Sequence, residues 1–447
     1  MHLKTKISAQ HMWNPRVSVF IIIWFGQLVS LVGSGLASFA IGIWVYQQTG
    51  SVTNFALINL FTFLPSIVLL PFVGVLVDRW NRRQAMLVSD AGAGCCTIAL
   101  ALLLFTGQAS IWPIYFVVAA SSTFNAFHWT AYMAAIPLLV PKAHLGRANG
   151  MVQLGHAISQ LMAPLLAGIL VGVIQVQGVV LIDFTTFLFA FATLLLVRIP
   201  KPKSTPANSV GDRPLLREIS SSWTYIRTRS GLLGLLIFYS VTNFTLGIVE
   251  VLFTPLVLSF ASAAILGMIL SIGGSGMLLG SVVMSAWQGA KRRIMCVFSF
   301  TLLQGIVLSI SGLRPSASLL AAAAFVFLFS TPLIMASSQA IWHSQVPSDL
   351  QGRVFAIQRT VGLSSLPVAY LLAGPLADRI FEPLLTVRGP LANSIGRIIG
   401  VGPGRGIALL FIVLGGFNVL IATIGYLYPP LRFVEEDESQ YSGAQLH

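Results

Sequence analysis

Read only for apolar and polar positions, the chain is a train of long apolar runs separated by short polar breaks. The runs centre on residues 17–45, 52–76, 84–105, 111–139, 151–174, 179–197, 231–258, 263–286, 294–312, 318–342, 355–379 and 406–428. Each approaches or exceeds the roughly 20 residues an α-helix needs to cross a bilayer core, so the pattern predicts twelve transmembrane helices. Composition leaves little alternative. Of 447 residues 56% are hydrophobic and 9% charged, against roughly 25% charged in an ordinary soluble domain. The long polar stretch in the middle of the chain opens with Pro200, Pro202 and Pro206, which predict an extended linker. It continues as Leu215, Leu216, Ile219, Trp223 and Ile226 among polar residues, a helical spacing for an amphipathic helix on the membrane surface. A plain linker is the alternative.

The fold class is therefore all-α and integral to the membrane, with two pseudo-symmetric six-helix bundles. The expected parts are a bundle over 1–198, a linker with amphipathic helix over 199–230, a second bundle over 231–431 and an acidic tail over 432–447. The first run is too long for a cleaved signal and lacks a small-residue cleavage site, so it is expected to remain as helix 1.

Net charge is +13, which in a soluble protein would suggest nucleic acid. The positions of the charges say otherwise. Lys4, Lys6 and Arg16 precede the first run; Arg79, Arg82 and Arg83 follow the second; Lys142 and Arg147 follow the fourth. The linker carries seven more, and Lys291, Arg292 and Arg293 follow the eighth run. Alternate breaks are basic, which marks that side as cytoplasmic and puts both ends of the chain there. The exception is the break between the last two runs, with Arg379, Arg388, Arg397 and Arg405 on the expected outer side; an attraction of Arg405 and its neighbours for anionic cargo would account for it.

The chain also repeats itself. Val140-Pro141, Gly146-Arg147 and Leu165-Leu166-Ala167-Gly168 recur as Val346-Pro347, Gly352-Arg353 and Leu371-Leu372-Ala373-Gly374. The differences 346 − 140, 352 − 146 and 371 − 165 all equal 206. Six is an even number of crossings, so both copies have the same orientation.

A loop after the second run reads Gly74-Val75-Leu76-Val77-Asp78-Arg79-Trp80-Asn81-Arg82-Arg83. Glycine allows close approach of another backbone, and an aspartate at a helix end can accept charge-assisted bonds or face a helix N-terminus. Such a contact can form in one conformation and break in another, as a gate requires. This G-x-x-x-D-R-x-x-R-R pattern resembles the signature loop of the major facilitator superfamily. At the corresponding place the second half keeps Lys291, Arg292 and Arg293 but no acid, so the gate is expected to be asymmetric. Ala163-Pro164-Leu165-Leu166-Ala167-Gly168 looks like a degenerate form of the Gly-Pro-rich helix-5 motif of that family's antiporters. Trp44 to Ser51, Asp90, Ile182-Asp183 and Gly374-Pro375-Leu376-Ala377-Asp378 resemble the macrolide-efflux and siderophore-exporter branch. The resemblance implies proton-driven export of a small amphiphilic molecule, such as a drug, macrolide, siderophore or secondary metabolite, across a bacterial inner membrane.

In that fold helices 1, 4, 7 and 10 line a central cavity. Polar residues at helical spacing stand on each: Gln27, Ser30 and Ser34; Asn125, His128, Trp129 and Tyr132; Asn243 and Glu250; Gln339, Trp342 and His343. Interhelical hydrogen bonding without any ligand is the alternative for each. Three acids fall inside apolar runs, where ionised groups are costly and default to functional candidates. Glu250 is the first candidate for proton coupling; Asp183 could instead cap a helix or reach the surface, and Asp90 could pair with Arg82 and Arg83. Cys95, Cys96 and Cys296 are expected as packing residues rather than a disulfide set.

No phosphate-cradling G-x-x-x-x-G-K-[ST] loop occurs, which excludes ATP-driven pumping by this chain alone. Without H-E-x-x-H, G-x-S-x-G or an acidic cluster, a membrane enzyme is the weaker rival, as is a non-transporting receptor or scaffold. The expected partners are a small-molecule substrate, protons and the lipid bilayer. No cofactor, metal or nucleic acid is expected, and the chain is expected to be a monomer.

Overall fold

Large apolar side chains with no place inside a bundle must end on its outside. The computed structural model, which describes residues 15–107, 110–141, 144–197, 215–286, 292–347 and 350–435, has this inverted pattern. Phe72, Phe116, Val173 and Leu196 are among the many large side chains that stand exposed, as expected where lipid is the solvent.

All regular elements among the described residues are helices. They are α1 (Pro15–Thr49), α2 (Val52–Arg79), α3 (Arg82–Phe105), α4 (Ile111–Leu139) and α5 (Leu145–Leu196), then α6 (Leu215–Thr228) and α7 (Ser230–Leu258). There follow α8 (Ala263–Ala286), α9 (Arg293–Ser311), α10 (Ala317–Gln345) and α11 (Gln351–Pro375), which runs on into a π-helical turn, Leu376–Phe381. Short α12 (Glu382–Leu384) and α13 (Gly396–Ile399) lead to α14 (Arg405–Leu427) and α15 (Pro429–Arg432).

Ten of these helices are long and apolar enough to cross a membrane. The 52-residue α5 does so twice, because at Gln175 the backbone takes φ 59° and ψ 179° and the helix breaks there without a loop. The 29-residue α4 has the necessary length, with Ser, Thr, Asn, His and Trp spread among its apolar residues. Ten, plus the second limb of α5, plus α4, gives the twelve crossings.

The described residues form two compact units, one of 15–42 and 61–197, the other of 43–60 and 215–435. In the first, α3 packs on α4 and α5. A buried core runs through Phe20, Ile23, Val77, Met86, Ile136 and Leu194. In the second, α8 packs on α10, α9 on α10 and α14, and α7 on α11. The α8–α10 contact depends on small residues, as expected where lipid provides no hydrophobic drive. A side chain at Gly276 or Gly280 would run into the carbonyls of Phe325 and Phe329.

The internal repeat is visible in these bounds. Ile111–Leu139 and Ala317–Gln345 both have 29 residues, and 317 − 111 equals 345 − 139, again 206. The amphipathic α6 belongs to the second unit. Ile226 is fully buried, and the Tyr225 hydroxyl donates to the Gln345 carbonyl at the end of α10 at 2.8 Å. Cys95 departs from expectation: it is exposed, while Cys296 is buried.

Candidate functional site

In the second unit a cavity of about 290 Å³ opens between α7, α10 and α11, lined by Tyr239, Met335, Ala336, Ser338, Gln339 and Gln358. Gln339 was expected there from its polar spacing. Tyr239 and Gln358 were not, although a glutamine inside an apolar run is itself a signal. Trp342 corrects the expectation for helix 10. At 0% exposure it belongs to the core with Leu235, Ile294 and Ile341. His343 is exposed and pairs with Gln339 at 3.4 Å.

Tyr239 and Glu250 stand eleven residues apart on α7, three helical turns, and so share one face. Asn243, on the same side, donates to the Tyr239 carbonyl at 2.9 Å. Glu250 has an exposed side chain, and its carboxylate accepts the Tyr370 hydroxyl of α11 at 3.0 Å. A carboxyl within a membrane-crossing helix, open on one side and held by a phenol on the other, can take up and release a proton while keeping its position.

A dense polar cluster of this unit lies where the π-helical turn meets the start of α2. Asp378 accepts from the Ser51 hydroxyl at 2.8 Å, the Thr53 hydroxyl at 2.7 Å, and the amides of Val52 at 3.1 Å and Thr53 at 2.8 Å. Those amides are among the unsatisfied donors at a helix N-terminus, and the carboxylate also meets the positive end of the helix dipole. Close approach is possible because residue 374 is glycine; a side chain there would collide with the Thr53 backbone. The signal for Asp378 was present in the sequence. Gly374 to Arg379 repeats the G-x-x-x-D-R spacing of Gly74 to Arg79.

Four residues on, Glu382 caps a second helix, accepting the Ile407 amide of α14 at 3.1 Å. Arg405 is buried and donates to the Ile399 carbonyl at 3.1 Å. It is consumed by structure and does not present its charge to a cargo, contrary to expectation.

In the first unit, Asp90 contacts His128 of α4 at 2.6 Å. Among the described residues His128 is the contact seen for it, where Arg82 and Arg83 were expected. Arg83 turns the other way and donates to the Leu194 and Leu195 carbonyls at 3.3 and 2.7 Å, where a helix end leaves carbonyls unsatisfied. Asp183 neither caps nor reaches the surface. It is buried, accepting from Ser34 of α1 at 3.0 Å and Thr97 of α3 at 3.2 Å. Ser34 is thereby spent inside the bundle, which corrects its place in the expected cavity stripe.

The α4 stripe divides likewise. Asn125 and Trp129 are exposed, whereas Tyr132 is buried and His128 turns to Asp90. Trp129 packs edge-on against His156 of α5 at 4.7 Å. On α1, Gln27 and Ser30 are half-buried.

Of the basic signature loop, α2 ends at Arg79 and Asn81 caps α3, its side chain accepting from the Arg83 amide. The surroundings of Gly74, Asp78 and Arg79 lie outside the described residues, as does the tail beyond Glu435.

Residues 23–370 match the family model described as Major Facilitator Superfamily. The chain is 28% identical over 384 residues to Macrolide efflux protein A of Streptococcus pyogenes, which covers 81% of this chain and 90% of that protein. It is 24% identical over 388 residues to the multidrug efflux pump Tap of Mycolicibacterium fortuitum, covering 82% and 91%. Among solved structures, a bacterial homologue of the human lysosomal transporter Spinster, inward-facing and unoccupied, superposes with TM-score 0.72 at 13% identity, covering 95% of this chain and 99% of that one. A bacterial homologue of the iron transporter ferroportin, inward-facing, gives TM-score 0.59 at 13% identity, covering 90% and 98%.

Proposed function

The chain belongs to the Major Facilitator Superfamily, as a secondary transporter that moves a small molecule across the bilayer by alternating access, and from that premise we propose that it exports an amphiphilic molecule in exchange for protons. The observation that carries this reading is Glu250, a carboxyl open within a membrane-crossing helix and steadied by Tyr370. It shares a face of α7 with Tyr239, which lines the cavity. An amide-, phenol- and thioether-lined cavity suits a molecule with both polar and apolar parts. Likeness to a macrolide efflux protein over most of both chains supports the same class of cargo.

Cargo and proton move in opposite directions when the loaded and unloaded carboxyl favour different states. Asp78 and Asp378 are the two latches of that cycle. α2 begins at the residues Asp378 caps and ends beside Asp78, so the two acids act on opposite faces of the membrane. The protein sits in a bacterial plasma membrane as a monomer, with the basic loops and both termini cytoplasmic. A reporter fused after Arg83, Lys203 or Arg293 then reads as cytoplasmic; an internal reading at Arg397 would refute that arrangement.

The function is tested by loading a drug-sensitive strain with a fluorescent amphiphile. Expression should lower accumulation, and a proton uncoupler should restore it. Uncoupler-insensitive efflux would contradict proton exchange. No change in accumulation across a panel of amphiphiles would contradict export of this class.

A further inference from the structure

The segment 376–405, between α11 and α14, is folded rather than loose. Leu385 and Ile399 are buried in a small core with Leu409. Backbone bonds tie it across its width, from the Leu391 amide to the Leu384 carbonyl at 3.0 Å and from the Gly402 amide to the Leu385 carbonyl at 2.9 Å. Both flanking helices cross the membrane, so this cap rests at headgroup level, on the face opposite the basic loops. Arginine is normally scarce on that face, yet the segment has four.

The charges do not cancel. Its two acids, Asp378 and Glu382, are spent on capping α2 and α14, and Arg405 is buried. Arg379, Arg388 and Arg397 remain exposed. Each of the three has an exposed aliphatic neighbour in sequence: Ile380 at 50%, Val387 at 77% and Ile398 at 75% exposure. A cation beside an apolar side chain, three times over on one folded cap, is the surface chemistry of a segment lying in the interface.

We propose that this cap binds the headgroups of anionic phospholipids in its own leaflet. The guanidinium groups take the phosphates, for which their planar forks are suited, while Ile380, Val387 and Ile398 enter the acyl boundary. The cap thus anchors the end of α11, where Asp378 holds α2, to the membrane surface.

The test reconstitutes the full chain in nanodiscs of equal phosphatidylcholine and phosphatidylglycerol and counts retained lipids by native mass spectrometry. Phosphatidylglycerol should be enriched on the wild type, and the enrichment should fall as salt is raised before reconstitution. Arg388→Gln and Arg397→Gln should each reduce the enrichment about five-fold. Val387→Ser with Ile398→Ser should lower retention of both lipids. Wild-type enrichment that is absent or indifferent to salt would overturn the proposal. So would arginine variants that fold and keep full enrichment, or displacement of phosphatidylglycerol by inorganic phosphate, which would make the cap a site for soluble anions.

Discussion

The end of α2 and the end of α11 share one local sequence, Gly-x-x-x-Asp-Arg, at 74–79 and 374–379, in opposite settings. After Asp378 the helix continues through a π-helical turn and the carboxylate is fully engaged, with two amides and two hydroxyls. After Asp78 the helix stops at Arg79, and of the arginines that follow, Arg83 is spent on the carbonyl end of α5. At 374–379 the glycine and the acid together serve a helix start. Links of this kind, made from a few charge-assisted bonds to backbone groups, are strong enough to hold a state and few enough to release.

The largest expected effect comes from filling the close approach. Gly374→Leu should cut the efflux rate per molecule at least ten-fold, because the obstacle is the Thr53 backbone and not a movable side-chain tip. Gly352→Leu, in open space, should stay near wild type. If the comparison holds, Gly74→Leu matches Gly374→Leu; a harmless Gly74→Leu would confine the close approach to α11.

Next, Asp78→Asn and Asp378→Asn should each lower transport several-fold to ten-fold with membrane abundance preserved, since the shape survives and the charge does not. Their conformational effects should oppose. With Asn125→Cys as a probe on a background lacking Cys95 and Cys96, an impermeant thiol reagent added outside should label Asp378→Asn faster than wild type and Asp78→Asn slower. Shifts in the same direction would show that the two acids are not opposed latches. If abundance fell with activity, they would be folding residues.

Smaller still, Tyr370→Phe removes one bond to Glu250 and should slow transport about three-fold. Arg83→Gln should cost about 1 kcal/mol of stability, read as a melting shift of a few degrees in detergent, with little change in rate.

Much of the fold was legible because a bilayer leaves few options. Apolar length sets the crossings, and the 206-residue repeat sets the pairing of α4 with α10. The α5 break was legible too, since the runs 151–174 and 179–197 part at 175–178; what the sequence did not show is that Gln175 alone turns the chain, with no loop. Partners of the buried acids were hardest to read. Arg82 and Arg83 are closest to Asp90 in sequence, but the geometry of α3 against α4 delivers His128. Trp342 shows the limit of polar spacing, since an indole at a cavity-like position fills the core equally well. Asp378 could be read from its spacing, but its partners Ser51, Val52 and Thr53 lie more than 300 residues away, where no local pattern points.

The central claim is that one carboxyl couples cargo to protons. It is tested most directly by substrate-induced proton movement in proteoliposomes of wild type, Glu250→Gln and Asp183→Asn. Glutamine keeps the size and the bond to Tyr370 but cannot release a proton. Glu250→Gln should therefore bind cargo and exchange it down a gradient, yet produce no proton signal and no uphill accumulation. Asp183→Asn, altering a buried link among α1, α3 and the second limb of α5, should keep the proton signal at whatever rate remains. A full proton signal from Glu250→Gln, with its loss in Asp183→Asn, would contradict the account and move the coupling site to the first unit.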